Sequence, residues 1–333
     1  MKLKSRLFSL SINLDSLIAA ACGFIIIQIF SNHSGVGVSP DSVTYISAAR
    51  HLLQGNGFRA FDGLPVVDFP AGYPFFITIV SFCTRMDVLQ FGAILNGMLF
   101  GSLIYLSGSI MNGFYHTSAW YKRFMLACIV FSPALLEVYS MLWSETLFLL
   151  LLMLFTIAMK QYLERLEMKW LIISAVLVSL ACVTRYAAIV LIGIGLFLIF
   201  FEGKPAWGKR IRYCIYFGII SILLLAVNLV RNEMVMHFAT GERQKSTSSL
   251  LKNMEYFGGV LGDWLLIQRK PALSITLTVL VLLIFLVSML WCYFRRKTRR
   301  RYESIAAATG FFYCLFMLTS ATLSRYEQFT SRL

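Results

Sequence analysis

The sequence predicts an all-α polytopic membrane protein, and three observations carry that prediction. Charged residues make up 14% of the 333 positions and hydrophobic residues 58%, against about a quarter charged in a soluble domain. Mean hydropathy is +0.74, with the apolar residues gathered into runs near the ~20 residues that a spanning helix needs. The cations lie between these runs rather than on one polar domain. The net charge of +14 therefore reads as a membrane-topology signal and not as a nucleic-acid footprint.

Taken in order, nine spans are expected: Leu14 to Phe30, Val88 to Met111, Phe124 to Ser140, Thr146 to Met159, Trp170 to Val183, Ala187 to Phe201, Tyr213 to Val230, Ala272 to Phe294 and Ser304 to Leu323. Tyr73 to Cys83 is apolar but too short to cross and reads as a juxtamembrane or re-entrant helix. No small-residue cleavage site follows the first apolar core directly, so that segment reads as a retained span. The chain is thus one membrane domain, residues 1–333, with two long loops at 31–87 and 231–270. Its seven cysteines show no short paired spacing, which excludes a disulfide framework or a metal-thiolate motif.

Orientation follows from the cations. The N-terminus and every second connection hold 18 of the 30 Lys and Arg residues, including the RRKTRRR run from Arg295 to Arg301. The positive-inside rule then places the N-terminus in the cytoplasm. On that reading both long loops, the turn around Trp143 to Glu145, the Thr184 to Tyr186 corner and the C-terminal tail are extracytoplasmic. RRKTRRR itself reads as a topology anchor meeting anionic lipid headgroups.

Within the first loop, Ser39 suits an N-cap, Pro40 the first helical position, and Gly55 and Gly57 a helix end. A helix from Pro40 to Gln54 results. Val43, Ile46, Ala49 and Leu53 form an apolar stripe on it opposite Ser47, Arg50 and Gln54, so it should lie flat on the membrane surface. Asp41 falls in its first turn, where the helix dipole favours the ionised carboxylate. An acid there is ordinary capping, and the same holds for Glu145 after Ser144. Both become candidates because topology puts them on one face of the membrane with Arg185, an ionisable group between two apolar stretches. Asp62 and Asp68 are read as solvated ahead of the alternative that either binds acceptor hydroxyls, His51 as an interface histidine, Tyr73 as part of a cavity mouth and Tyr256 to Gly259 as a bend. The 231–270 segment, with Glu233, Arg243, Lys245, Glu255 and Asp263, reads either as an acceptor-facing loop or, the more ordinary case, as a flexible surface connector. No P-loop, dinucleotide fingerprint, zinc motif or nucleophile elbow is present in the sequence.

The order of a first span, PDSVTYISAARHLLQGNGF, PAGYPFF, WSETLF, TRYAA and a late SRY resembles the membrane glycosyltransferases of the GT-C superfamily. The likeness is greatest to bacterial members of the protein-mannosyltransferase or aminoarabinose-transferase type. It covers most of the chain through short motifs. The resemblance implies an enzyme of the bacterial inner or plasma membrane that moves a sugar from a polyprenyl-phosphate or polyprenyl-diphosphate carrier to a glycan, lipid or protein acceptor. It implies Asp41 and Glu145 as catalytic acids, with Tyr45, Tyr73, Arg185, Tyr186, Arg325 and Tyr326 as substrate-binding residues. A positioned carboxylate serves as general base for the acceptor, and arginine forks suit the departing phosphate. A single displacement would invert the anomeric carbon. No closed metal-ligand set is visible, and a divalent cation shared by Asp41 and phosphate stays open.

GT-C members continue for further spans, often into a soluble domain, whereas this chain ends ten residues after Leu323. A compact member, a truncated and inactive one, and one completed by another chain are all compatible with that end. The rival classes are a transporter or lipid flippase and a non-catalytic scaffold. Transporters tend to carry internal repeats and mid-membrane ionisable groups. Here no repeat is visible and the acids lie at span ends.

Overall fold

The structure, a computed structural model, describes residues 14–114, 118–203, 205–241, 245–265, 267–294 and 301–324, and among them every regular element is a helix. Helix α1 (Leu14–Ser31) leads to α2 (Pro40–Leu53) and α3 (Gly72–Thr84), followed by α4 (Val88–Met111). The chain continues through α5 (Ala119–Val130), α6 (Pro133–Ser140), α7 (Ser144–Arg165) and α8 (Met168–Thr184). A 3₁₀ turn (Tyr186–Ile189), α9 (Val190–Phe197) and a π-helical turn (Leu198–Glu202) make one further run. Helices α10 (Trp207–Met236), α11 (Leu250–Trp264), α12 (Pro271–Phe294) and α13 (Arg301–Leu323) complete it.

Six of these helices, α1, α4, α7, α10, α12 and α13, are long and apolar enough to cross a membrane, which makes this a multi-pass membrane protein. A seventh span exists if α5 and α6 count as one, bent by 48°. The bend falls where Pro133 opens α6 with Ser132 as its cap, because proline has no N–H to continue α5. The other two expected spans, α8 and the Tyr186 to Glu202 run, are apolar but shorter. Thr146 to Met159 extends to the 22 residues of α7.

Side-chain contacts define two ends of the bundle. At one, Lys122 Nζ meets Asp15 Oδ1 at 2.8 Å, Arg301 meets Glu202 at 2.7 Å, and Lys160 Nζ lies 5.2 Å from the Tyr302 ring centre. At the other, the Gly37 N–H donates to the Ser140 carbonyl at 2.8 Å and the Leu142 N–H to the Gly37 carbonyl at 3.0 Å. Among the described residues, Lys122, Lys160 and Arg301 thus share an end, and the first long loop meets the end of α10 at the opposite one, where Arg231 reaches the Val66 carbonyl.

Ser39 caps α2 and Pro40 starts it, with Gly55 and Gly57 at φ +76° and +80° beyond its end. The expected stripe is split, however. Ile46 and Ala49 are buried with Ser42, Tyr45 and Ala48, whereas Val43 and Leu53 face outward. The cause is α3, whose Tyr73 ring meets Tyr45 edge-on at 5.2 Å and turns the helix inward. A second correction concerns 231–270, which is not a mere connector: α10 runs on to Met236 and α11 fills 250–264. Tyr256 to Gly259 makes no bend within α11. Gly258 lies directly against the Ser274 backbone of α12, where a Cβ would overlap the carbonyl.

Arg231, which the sequence reading left unassigned, fastens the first loop. Its guanidinium donates to the Val66 carbonyl at 2.6 Å and the Phe58 carbonyl at 3.1 Å, and lies 5.1 Å from the Phe58 ring centre. Asn232 donates to the carbonyls of Val67 at 3.3 Å and Ala239 at 2.9 Å. Arg231→Ala should free this fastening, so limited trypsin digestion in detergent should cut at the exposed Arg59 faster than in the parent chain. Equal rates would show that the staple does not hold the loop.

Arg50 pairs bidentately with Asp87, both contacts at 2.9 Å, while Asp87 also caps α4. The Arg50 guanidinium and the Leu89 N–H hold the Asp87 carboxyl below its ordinary value. The pair is well exposed, so its share of stability is a few tenths of a kcal/mol, while loss of the cap costs about 1 kcal/mol. Thermal unfolding in detergent should therefore rank Asp87→Ala below Arg50→Ala, and both below the parent. Because the folded value is depressed, this contribution is present above about pH 4 and fades as acid lowers the pH through the folded value.

Candidate functional site

The non-cationic end gathers polar groups from four segments. Trp143 to Glu145 open α7, and the free N–H groups of a helix start favour an acid there. Arg185 follows α8 in extended backbone, φ −147° and ψ 132°, because it caps one helix and precedes the 3₁₀ turn. Arg185 and Glu145 form an ion pair, with side chains 26% and 13% exposed. Each thus sits at the helix end whose dipole suits its charge.

The pair is tied to the first loop. Ser144 Oγ donates to Glu145 Oε2 at 3.3 Å and shares a 3.4 Å hydrogen bond with the Tyr45 hydroxyl. Trp143 Nε1 donates to Ser39 Oγ at 2.7 Å, so the residue that caps α2 is also held by the start of α7. Burial pushes the Tyr45 phenol above its ordinary value, and it remains a neutral hydrogen-bonding group in the field of Glu145, Arg185 and Asp41. Asp41 stands in the first turn of α2, half-buried and one turn before Tyr45.

A cavity of about 390 Å³ extends from this cluster into the bundle. Glu145 and Arg185 are at its charged part, Tyr313 of α13 faces Arg185 electrostatically, and the walls include Leu149, Leu152 and Phe285. Trp264 of α11 also lines it, a contribution that the connector reading of 231–270 had hidden. The arrangement is a cation and a carboxylate at the end of an apolar slot. It suits an amphiphile with an anionic head.

The remaining candidates fall in different places. Asp41 is linked to the cluster through its helix but does not line the cavity. Tyr73, expected at the mouth, is fully buried behind Tyr45, because the edge-to-face pair packs α3 under α2. Tyr186 points to the loop staple: its hydroxyl donates to the Val67 carbonyl at 3.3 Å and accepts from Asn228 and Asn232, each at 3.3 Å. Arg325 and Tyr326 lie outside the described residues. Asp62 is exposed and accepts from the Leu64 N–H at 2.9 Å within its own turn, and Asp68 is exposed beside Gly241. Among the described residues no three His, Cys, Asp or Glu side chains gather as a metal-holding set.

Tyr313, Trp264 and Arg231 were missed by sequence reasoning. Tyr313 and Trp264 carry no local motif. Arg231 differs from other span-end cations only in lying between two amides, Asn228 and Asn232, on one helix face.

No protein-family model matches this chain, and no curated protein matches it. Two solved structures do. ArnT from Cupriavidus metallidurans in the apo state aligns with 90% of this chain at 13% identity and a TM-score of 0.55. The same protein bound to undecaprenyl phosphate aligns with 91% at 14% identity and a TM-score of 0.56. The chain spans 59% of the length of each. Its fold is therefore similar to that of ArnT.

Proposed function

We propose that this protein is a membrane glycosyltransferase that moves a sugar from a polyprenyl-phosphate or polyprenyl-diphosphate carrier to a cell-envelope glycan, lipid or protein acceptor. The observation that carries the reading is the Glu145–Arg185 pair at the charged end of an apolar cavity, in a chain with an ArnT-like fold. A carrier lipid is an anionic phosphate on an apolar tail, and this slot offers one surface for each. That one of the matching structures holds undecaprenyl phosphate supports the same ligand class here. The site end is taken as extracytoplasmic, with the N-terminus cytoplasmic, in a bacterial inner or plasma membrane; the gathering of Lys122, Lys160 and Arg301 at the other end supports this.

In the proposed reaction an acceptor hydroxyl or amine attacks the anomeric carbon as the bond from that carbon to the phosphate oxygen breaks. Asp41 takes the acceptor proton, and the carrier phosphate leaves with the bonding electrons. Arg185 stabilises that developing charge, since a guanidinium has five N–H donors and Glu145 needs only part of them. Glu145 holds the fork in place while unloaded. Tyr45 and Ser144 transmit the position of α2 to that pair. A single displacement inverts the anomeric centre. Asp41 is also the carboxylate that a divalent cation would share with the phosphate.

Two predictions follow from these roles, read with the full chain in proteoliposomes, a labelled polyprenyl-phosphate sugar pool and membrane acceptors. Asp41→Asn should lower transfer by about 10²- to 10⁴-fold at unchanged expression. Full transfer by that variant would remove Asp41 as base. Arg185→Lys keeps the charge but loses the fork and should lower turnover by about 10²-fold; parental turnover would remove Arg185 from the phosphate. Solute flux without any sugar transfer in the same vesicles would replace the enzyme with a transporter.

A further inference from the structure

A cavity lies at the cation-rich end, outside the proposed transfer site, in the cleft between α1 and α5. It holds about 830 Å³. One part is charged, with Asp15, Lys122 and Arg123, and the rest is apolar, with Ile18, Leu126 and Val130. The chain turns by 48° after α5, and Phe131 at that bend also lines the cleft.

Depth and charge identify what fits it. The 18 residues of α1 rise about 27 Å, close to the ~30 Å hydrocarbon core of a bilayer. Asp15 in the first turn is therefore at headgroup level, and Ile18 and Val130 lie deeper. Two cations face one acid. The Lys122 side chain is only 4% exposed and gives a 2.8 Å bond to Asp15, whereas an ammonium carries three N–H donors. Arg123 is exposed, with its guanidinium 5.8 Å from the Trp120 ring centre. The start of the 12-residue α5 opens on the same place, since Ala119 lines the cavity and Ser118 Oγ caps the helix by accepting the Tyr121 N–H. Its first N–H groups add positive character.

We propose that the α1–α5 cleft binds an anionic phospholipid, with its phosphodiester on Lys122, Arg123 and the start of α5 and one acyl chain along the apolar seam. A zwitterionic phospholipid would bring its own cation against Arg123. Inorganic phosphate would match the charge and leave the walls bare. This site is separate from the transfer reaction and does not depend on it.

The test is native mass spectrometry of the full chain in detergent, titrated with phosphatidylglycerol, with phosphatidylcholine of the same acyl chains, and with phosphatidylglycerol in the presence of inorganic phosphate. Phosphatidylglycerol should be retained about fivefold better than phosphatidylcholine, the effect of the one near-surface cation left after Asp15 offsets Lys122. Arg123→Gln should reduce its retention about fivefold. Ala127→Trp should abolish it, because Ala127 lines the cleft and is exposed, so a larger side chain fills the groove without entering the core. Thermal midpoints near the parent value certify both variants as folded. Equal retention of the two lipids, an unaffected Ala127→Trp variant, or displacement by millimolar inorganic phosphate would each overturn the site.

Discussion

The ion pair of Glu145 with Arg185 is the contact on which the non-cationic end depends. Removing one partner of a largely buried pair leaves an uncompensated charge and costs about 3–5 kcal/mol. Here that cost has a structural meaning. Glu145 begins α7 and Arg185 follows the end of α8, so the pair ties together the ends of two packed helices. Next to it, Ser144 and Trp143 reach α2, so the same few residues that open α7 also set the surface helix.

A second set of bonds holds the first loop from the other side. Arg231 and Asn232 of α10 take up carbonyls of the loop, Asn228 accepts the Ala71 N–H and donates to the Tyr186 hydroxyl, and Tyr186 joins them one residue after Arg185. Buried backbone carbonyls need partners. A loop without regular structure gains them from these side chains. The loop and the charged corner are thereby parts of one polar layer, while the membrane-facing surface below remains aliphatic and aromatic.

Much of this was legible in the chain because it is written locally. Span positions follow from apolar run length, and the start of α2 from the Ser39–Pro40 pair. That Glu145 and Arg185 share one end of the bundle came from topology together with motif order. The misses share a different cause. The inward turn of α2 depends on the ring of Tyr73, and the straightness of α11 on how closely Ser274 approaches Gly258. Both are long-range packing outcomes that no window of residues encodes. The extent of α10 was underestimated because its polar end reads as loop unless the partners of Asn228, Arg231 and Asn232 are known.

That extent has a mechanical side. Thirty helical residues make a rod of about 45 Å, roughly 15 Å more than a hydrocarbon core. Since the first loop is bonded to the last two turns of this rod, it is carried on a rigid post rather than resting on the lipid. Thickening or thinning of the surrounding bilayer would then shift the loop and the charged corner together, keeping the site's internal distances while changing its height above the lipid. Membrane thickness becomes a variable that sets the height of Arg185 relative to the lipid surface.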